Sequence, residues 1–223
     1  MISNFNERLD KMFPDARCEL NYYRDYELLI ATVLSAQCTD RRVNEVTSVL
    51  FSQYDIYGLA EAKRADIEKI IRSCGSYTKK SKYIIEIAKS LVENYNGVVP
   101  NDREYLESLP GVGRKTCNVV LANLFDVPTI AVDTHVLRVS KRLKIAKKMD
   151  NVLTVEKKLQ KAVPMPLWSR THHQLVLFGR YICKAVKPDC AKCLFYDDCS
   201  CKDKREVKKE DNCQIVCVDT YKR

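Results

Sequence analysis

Apolar residues recur along this chain at the three- and four-residue spacings of amphipathic helices. The first apolar face contains Ile2, Phe5, Leu9 and Met12. A second helix is expected from Asp25, a candidate N-cap, to about Gln37. Thr39 or Asp40 can cap a third helix. The apolar face of that third helix holds Val43, Val46 and Leu50.

The later part of the chain continues the helical pattern. Gly75 can end a helix around 67–71 in a left-handed C-cap, and a helix around 84–92 should stop near Gly97. Further helices are expected at about 105–109, 114–125, 133–143, 152–163 and 167–185. Because strand alternation is hard to find and no repeat or low-complexity tract interrupts the chain, the sequence predicts an all-α protein.

The charge balance favours an anionic partner. Lysine and arginine outnumber aspartate and glutamate by 38 to 29, a formal charge of +9. Charge alone does not identify nucleic acid, because many basic proteins only carry a solvated cationic face. The N-terminus lacks a signal-peptide core, and no stretch reaches the ~18 apolar residues of a membrane span. We therefore expect a cytoplasmic protein with no membrane partner, whose eleven cysteines are metal ligands or buried thiols.

A glycine turn separates two of the predicted helices, in the segment Leu-Pro-Gly-Val-Gly at 109–113. Gly111 and Gly113 permit positive φ and a close approach of the backbone to a ligand. The next helix begins directly after Gly113, so its free N–H groups and positive dipole end would face the same ligand. A phosphate fits such a place, although an ordinary corner between two helices can carry the same glycines.

Two charged residues at helix starts can supply complementary chemistry. Lys115 falls in the first turn after Gly113, where the helix dipole and Arg114 disfavour a second positive charge. A neutral amine is the form required for Schiff-base catalysis. Asp133 opens the helix expected at 133–143, whose N-terminus should keep its carboxylate ionised and able to stabilise a cationic sugar. On these residues alone, a solvated lysine and a structural N-cap are the more common interpretation.

Four cysteines near the C-terminal end have the spacing of metal ligands, Cys-x6-Cys-x2-Cys-x5-Cys, at Cys183, Cys190, Cys193 and Cys199. From ligand chemistry alone, four thiolates can hold zinc or an iron–sulfur cluster. Cys201 is a fifth candidate that can replace Cys199. The remaining cysteines have no comparable spacing and are expected to be core thiols or tail residues: Cys18, Cys38, Cys74, Cys117, Cys213 and Cys217.

Together these motifs resemble the endonuclease III family of helix-hairpin-helix, iron–sulfur base-excision DNA glycosylases. The segment 109–118 looks like the family's hairpin, Gly-Arg-Lys-Thr at 113–116 like its lysine motif, and Val-Asp-Thr-His at 132–135 like its aspartate motif. The cysteine spacing resembles the family's [4Fe-4S] loop. The resemblance covers about residues 1–201.

The resemblance implies a bifunctional DNA glycosylase and abasic-site (AP) lyase, acting as a nucleoid-associated monomer. Its substrate would be double-stranded DNA that contains oxidised pyrimidines or abasic sites. Lys115 would be the nucleophile, forming a Schiff base followed by β-elimination, and Asp133 its catalytic partner. His135 is expected to be structural. Four hairpin residues would hold a DNA phosphate, Gly111, Val112, Gly113 and Arg114, and four cysteines would hold the [4Fe-4S] cluster, Cys183, Cys190, Cys193 and Cys199.

Two segments bear on how a flipped base would be replaced. Gln37 lies in a Ser-Ala-Gln stretch similar to the family's, in which the glutamine enters the void left by the extruded nucleotide. After Gly75, where the family often has a bulky apolar wedge, this chain has Ser76. Tyr77 can stack in its place, although an aromatic residue beside a helix end is more often part of the packing.

The family fold implies two helical lobes flanking a DNA-binding cleft. One lobe would be a helical module at 20–129 that contains the hairpin, and the other an iron–sulfur lobe at 1–19 plus 130–201. Lysines of its cysteine loop, Lys184, Lys187 and Lys192, can face DNA. Residues 202–223 form a charged tail that we expect to be flexible. The alternative functions are a mismatch-specific thymine or uracil glycosylase, an adenine glycosylase, or a non-catalytic iron–sulfur DNA-binding protein.

Overall fold

A computed structural model describes residues 2–201 and Lys204, and within these residues every helix or strand element is helical, which confirms the all-α prediction. The α-helices are α1 (Phe5–Met12), α2 (Asp25–Leu34), α3 (Asp40–Gln53), α4 (Ile56–Glu61), α5 (Arg64–Ile70), α6 (Tyr77–Tyr95), α7 (Arg103–Ser108), α8 (Arg114–Phe125), α9 (Thr134–Arg142), α10 (Val152–Ala162) and α11 (Trp168–Leu177). Short 3-10 turns occur at Met165–Leu167 and Cys190–Lys192. Apart from Lys204, the predicted tail at 202–223 lies outside the described residues, as do Cys213 and Cys217.

The start of α2 differs from the prediction. Asp25 is the first residue of the helix, and Arg24 holds the N-cap position. The carboxylate of Glu27 accepts hydrogen bonds from the backbone N–H groups of Tyr23 (2.7 Å) and Arg24 (3.3 Å). Asp25 instead accepts a hydrogen bond from the backbone N–H of Val99. Glu27, inside the first turn, therefore accepts the hydrogen bonds of the free N–H groups at the start of α2. Asp25, the predicted cap residue, instead binds the loop that contains Val99.

Two predicted helix ends are also wrong. α2 ends at Leu34 and not at Gln37. Gly75 does not end a helix in the left-handed conformation: α5 stops at Ile70, and a further hydrogen-bonded turn follows it. The left-handed residue of this segment is Ser76, at φ 57°. The glycine therefore does not mark the end of α5, because the reversal of the chain takes place one residue later, at the entry to α6.

Helix α4 was not predicted, because its six residues are too few to show a period. Asp55 caps it by accepting a hydrogen bond from the backbone N–H of Gly58 at 2.7 Å. Ile56 and Leu59 are buried against the core, and α4 packs along α6. Tertiary packing therefore stabilises a helix that would be too short to form alone.

The last predicted helix, 167–185, is divided. α11 is followed by a π-helical segment, Phe178–Ile182, and Cys183 ends it. The backbone N–H of Cys183 donates to the carbonyl of Phe178 at 2.7 Å, which is the wider spacing of a π turn. Because Cys183 is the first candidate metal ligand, this turn determines where the cysteine loop leaves the helix.

The chain divides into two compact units. Cys18–Val127 form one unit, whose core surrounds α2. Helix α2 is buried along almost its entire length and packs against α3, α6 and α8. Leu28, Leu29 and Leu34 have no exposed surface. An all-round apolar helix of this kind is typical of the centre of a helical domain.

The second unit combines the described residues before Cys18 with those from Pro128 onward. Its core joins the apolar face of α1 to α9, α10 and α11. Two hydrogen bonds of 2.7 Å tie α1 to α11: Asn6 donates to the hydroxyl of Thr171, and Gln174 donates to the carboxylate of Asp10. The N-terminal helix is thus an integral part of the C-terminal unit. None of the described helices is both long and apolar enough to cross a bilayer.

The turn between α7 and α8 requires glycine at one of its two glycine positions. Gly111 has φ 77°, and a Cβ atom built on it would lie 2.6 Å from Cδ2 of Tyr83. Gly113 has φ −101°, and a Cβ atom there would meet nothing within 4 Å. The backbone conformation and the contact with Tyr83 both exclude a side chain at Gly111.

We expect Gly111→Ala to lower the free energy of unfolding by about 1–3 kcal/mol, because it adds left-handed strain and a clash with Tyr83. Gly113→Ala, the matched control in the same turn, should change it by less than about 0.5 kcal/mol. Urea unfolding followed by far-ultraviolet circular dichroism measures both values. Equal stability of the two variants would contradict this account of the turn.

Candidate active site, DNA-contact segments and cysteine cluster

The α7–α8 hairpin rests on a polar network that is partly buried. The guanidinium of Arg103 donates to the side-chain carbonyl of Asn118 (2.9 Å) and pairs with Glu107 (2.9 Å). Asn118 is buried, so these bonds lie at the edge of the core. The backbone N–H of Val112 donates to the carbonyl of Leu109 at 3.1 Å, and both side chains are buried. The glycine turn therefore projects from a firmly packed base.

The four predicted phosphate contacts form one continuous turn. Gly111, Gly113 and Arg114 are exposed, whereas the side chain of Val112 is buried, so only the backbone of Val112 can contact a ligand. Gly113 is the N-cap residue of α8 and has no side chain that could accept a hydrogen bond from the first N–H groups. Open space beside Gly113 leaves room for an anion at this helix N-terminus.

Lys115 lies in the first turn of α8 and is exposed. The three residues that follow it, Thr116, Cys117 and Asn118, are buried and anchor the helix. A flexible amine is thus carried by a fixed backbone beside the glycine turn. Such an amine can reach a macromolecular substrate that binds at the turn.

Asp133 belongs to the other unit and caps α9. One oxygen of its carboxylate accepts a hydrogen bond from the backbone N–H of Val136 at 2.8 Å, and the side chain is half-buried. The capping bond and the positive end of α9 both stabilise a negative charge at this position. One carboxylate oxygen engages the cap, so Asp133 is held in a defined orientation.

Arg138 on α9 was missed by the sequence reasoning. Its guanidinium donates to the carbonyls of Gly179 (2.6 Å) and Cys183 (3.1 Å) and contacts Nδ1 of His135 at 3.1 Å. A Cβ atom on Gly179 would lie 2.7 Å from Cβ of His135, so α9 and the π-helical segment are in close contact. Within this unit His135 lies in the packing between these two elements. An arginine within an amphipathic helix gave no signal of this role, because most such residues are solvated.

The four predicted metal ligands line one cavity together with Cys201. The space, about 320 Å³ including its open side, is enclosed by the loop that runs from the π-helical segment through the 3-10 turn at Cys190–Lys192. No three described His, Cys, Asp or Glu side chains converge as the ligands of one metal ion would. The thiols therefore surround a shared space without meeting at a point.

Positive charge reaches this cavity through Arg142, the last residue of α9. Its guanidinium donates to the carbonyls of Lys184 (2.6 Å) and Ala185 (3.1 Å) and lies 3.3 Å from Sγ of Cys183. Burial raises the pKa of the Cys183 thiol, and Arg142 opposes that shift. Burial also raises the pKa of Cys193, to about 12. Thiolates in this cavity thus need nearby positive charge, which bound iron would supply.

Gln37 is exposed in the segment between α2 and α3, residues 35–39, and has left-handed backbone at φ 57°. Lys80 of α6, a buried lysine, binds the backbone of this segment. Its ammonium group donates to the carbonyls of Leu34 (2.9 Å) and Ala36 (2.6 Å). Burial lowers the pKa of Lys80. No local pattern singles out Lys80, because it lies among four other polar residues at 78–82.

Ser76 and Tyr77 have different surroundings. Ser76 is exposed at the entry to α6, whereas Tyr77 is half-buried and packs against the core of its unit. The aromatic ring therefore contributes to packing, and its stacking on DNA bases finds no support in these contacts. A Cβ atom built on Gly75 would lie 3.5 Å from the carbonyl oxygen of Gln37, which places the two segments side by side.

Comparisons with known proteins agree with this arrangement. The sequence profile of the HhH-GPD superfamily of base excision DNA repair proteins matches residues 30–165. Endonuclease III of Bacillus subtilis strain 168 is 48% identical over 203 residues, which cover 91% of this chain and 93% of that protein.

Two solved structures show the same fold. A trapped covalent intermediate of an endonuclease III with DNA, in an estranged-adenine complex, superposes with a TM-score of 0.84 at 48% identity, covering 90% of this chain and 97% of that one. A non-covalent endonuclease III–DNA complex superposes with a TM-score of 0.85, also at 48% identity, covering 90% and 96% of the two chains. From the profile, the identity and the shared fold, this chain belongs to the endonuclease III family of the HhH-GPD superfamily.

Proposed function

We propose that this chain is a bifunctional DNA glycosylase and AP lyase that removes oxidised pyrimidines from double-stranded DNA in base excision repair. The observation that carries the proposal is the exposed amine of Lys115 in the first turn of α8, directly after the glycine turn. An endonuclease III of 48% identity has been trapped as a covalent intermediate with DNA. A lysine amine is the side chain of this segment that can form such a bond.

In the proposed reaction, the damaged nucleotide first leaves the base stack. The neutral amine of Lys115 then attacks C1′, the bond from C1′ to the base breaks, and the base leaves with the bonding electrons and gains a proton. Loss of the remaining amine proton and opening of the sugar ring give a Schiff base. Removal of a proton from C2′ then drives β-elimination, in which the bond from C3′ to oxygen breaks and the phosphate on the 3′ side leaves. Water finally hydrolyses the Schiff base and restores Lys115.

Asp133 supplies the negative charge that the cationic sugar requires as the base departs. Its carboxylate is held by the cap bond to Val136, so it need not reorganise during the reaction. The same carboxylate can accept a proton from an attacking amine. We therefore assign Asp133 as the catalytic partner of Lys115.

The glycine turn holds the DNA backbone. The N–H groups of Gly111, Val112, Gly113 and Arg114 can bind a phosphate at the positive end of α8, which positions the duplex without reading its sequence. Gln37, exposed on a left-handed backbone, enters the gap left by the extruded nucleotide. The enzyme works on its DNA as a monomer, in the cytoplasm at the nucleoid.

The cysteine cavity fits a [4Fe-4S] cluster held by Cys183, Cys190, Cys193 and Cys199. Each iron of such a cluster takes one thiolate, so the ligands surround a larger group than a single zinc ion. The four cysteines line one cavity, which supports a shared ligand set, and the resemblance of their spacing to the family's [4Fe-4S] loop favours iron over zinc. When bound, the cluster would cross-link the cysteine loop and supply the charge that stabilises its thiolates. The loop's exposed lysines, Lys184 and Lys187, can then face the DNA phosphates.

Borohydride trapping tests the nucleophile. With a duplex that contains one thymine glycol, the wild-type enzyme should form a covalent adduct, and Lys115→Ala should form none, because borohydride reduces only the Schiff base. Lys89→Ala, which removes an exposed lysine from α6, is the matched control and should form the adduct normally. An adduct in Lys115→Ala would refute the assignment of the nucleophile. Excision of mismatched thymine or uracil but not thymine glycol would refute the substrate class.

The variant Asp133→Asn distinguishes the negative charge of this side chain from its role as the N-cap of α9. An asparagine can keep the hydrogen bond to the N–H of Val136, so the free energy of unfolding should change by less than about 0.5 kcal/mol. Loss of the negative charge should lower the single-turnover rate of base release by about 10²–10³-fold. Asn151→Asp, at the cap of α10, adds a charge at another cap of the same unit and should leave the rate unchanged. A normal rate in Asp133→Asn would show that this carboxylate has no part in the reaction.

The choice between Cys199 and Cys201 can be tested by iron content. The backbone N–H of Cys201 lies 3.5 Å from Sγ of Cys199, so the two residues are adjacent at the cavity wall. We expect Cys199→Ser to lose iron and acid-labile sulfide, whereas Cys201→Ser keeps about four of each per chain. Iron loss in Cys201→Ser alone would transfer the ligand assignment to Cys201, and zinc in the purified protein would refute the iron cluster.

A further inference from the structure

Two cysteines that are far apart in sequence meet in the Cys18–Val127 unit. Sγ of Cys38 lies 3.8 Å from Sγ of Cys74. Cys38 is half-buried, and Cys74 is buried. We expected both to be isolated core thiols, because their spacing in the sequence gives no sign of a pair. The fold brings them to the distance at which two thiols can react with each other.

The pair joins two segments that lie beside each other. Cys38 directly follows Gln37, and Cys74 comes two residues before Ser76. Gln37 and Ser76 both have left-handed backbone, at φ 57°. Non-glycine residues rarely adopt this conformation, so both segments have a closely defined shape. A disulfide between the two sulfurs would change the distance between the segment of Gln37 and the segment of Ser76.

We propose that Cys38 and Cys74 form a reversible disulfide on exposure to a hydroperoxide, and that this bond weakens the binding of damaged DNA by displacing the segment of Gln37. The second half of the proposal rests on the DNA contact assigned to Gln37 under Proposed function. The first half depends only on the two thiols.

The reaction balances in two steps. The thiol of Cys38 attacks the hydroperoxide and becomes a sulfenic acid, and one molecule of alcohol or water is released. The thiol of Cys74 then attacks the sulfenic sulfur, the S–O bond breaks, and the leaving hydroxide takes the thiol proton as water. The two thiols are oxidised by two electrons, and the hydroperoxide is reduced by two. A dithiol reductant reverses the change by thiol–disulfide exchange.

Exposure and charge decide the order of these steps. Cys38 is the thiol that an oxidant in solution can reach, and Cys74 lies behind it. Burial and the neighbouring Cys38 raise the pKa of Cys74 to about 11, while Lys80 and Arg42 oppose that shift. Cys74 therefore stays protonated in the resting protein and acts as the second, resolving thiol.

Formation of the disulfide should displace Gln37, because the residues just before it are held by hydrogen bonds and cannot move. A disulfide requires the sulfurs to approach from 3.8 Å to about 2.05 Å. The carbonyls of Leu34 and Ala36 are fixed by the buried ammonium of Lys80. The adjustment is therefore taken up by residues 37 and 38, which that lysine does not hold and where the N–H of Cys38 donates to the carbonyl of Ser35 at 3.1 Å. The exposed amide of Gln37 moves with them.

Peptide mapping tests the bond itself. The iron-loaded protein is treated with one equivalent of cumene hydroperoxide, alkylated, digested and analysed by mass spectrometry. We expect a cross-link between the peptides that contain Cys38 and Cys74, with a loss of two hydrogens, and its removal by dithiothreitol. Cys18→Ser, which removes another half-buried thiol of this unit, should keep the cross-link, and Cys38→Ser should lose it. Absence of the cross-link in the wild-type protein, with the same thiols still alkylated, would overturn the proposal.

Binding measurements test the consequence. Oxidation should weaken binding to a duplex with a stable abasic-site analogue about five- to tenfold, the value of one hydrogen-bonded contact. Dithiothreitol should restore it, and Cys38→Ser and Cys74→Ala should be insensitive to oxidation. All samples are compared at equal iron content, so damage to a cluster does not enter the comparison.

Two outcomes separate this proposal from the proposed function. A cross-link without any change in affinity would overturn the regulatory half. Unchanged affinity in Gln37→Ala, with a normal loss on oxidation in the wild-type protein, would remove Gln37 as a DNA contact and so overturn the route by which the bond acts. Neither outcome depends on Lys115 or on borohydride trapping, so failure of the catalytic assignment is detected separately.

Discussion

Gly111 and the ring of Tyr83 lie so close together that no Cβ atom fits between them, and this contact determines the path of the chain from α7 into α8. The positive φ of Gly111 lets the chain reverse within one residue, so α8 begins at Arg114 directly after its N-cap Gly113. Gly113 has no side chain that could cap the first N–H groups of the helix. Lys115 then stands in the first turn on an exposed face. A residue with a side chain at Gly111 would move the start of α8 and with it both the N-terminus of this helix and the amine of Lys115.

In the other unit, α9 connects the carboxylate to the cysteine loop. Asp133 caps the first turn of this helix, and Arg138 and Arg142 bind backbone carbonyls of residues 179–185 from its later turns. Arg142 also contacts the sulfur of Cys183. Interactions that fix the conformation of the cysteine loop therefore also restrict the movement of α9, the helix that Asp133 caps.

Local signals predicted most of the helices and several of the residues that cap them. Thr39, Asp133 and the glycine turn lie where capping and chain reversal require them, because these interactions span only a few residues. The short helix α4 depends on packing against α6, which no local pattern records. The support of the Gln37 segment by Lys80 joins residues more than forty positions apart. Such contacts depend on the complete fold, so neither Lys80 nor the pairing of Cys38 with Cys74 could be predicted from the spacing of residues.

The pairing of α1 with α11 has a consequence for synthesis of the chain. The bond between Asn6 and Thr171 joins residues 165 positions apart, so α1 leaves the ribosome long before its partner exists. The Cys18–Val127 unit is continuous and can fold while translation proceeds. Until the C-terminal segment emerges, the apolar face formed by Phe5, Leu9 and Met12 lacks its native cover. A nascent chain stalled before α11 would therefore leave this apolar face of α1 without its native packing partner.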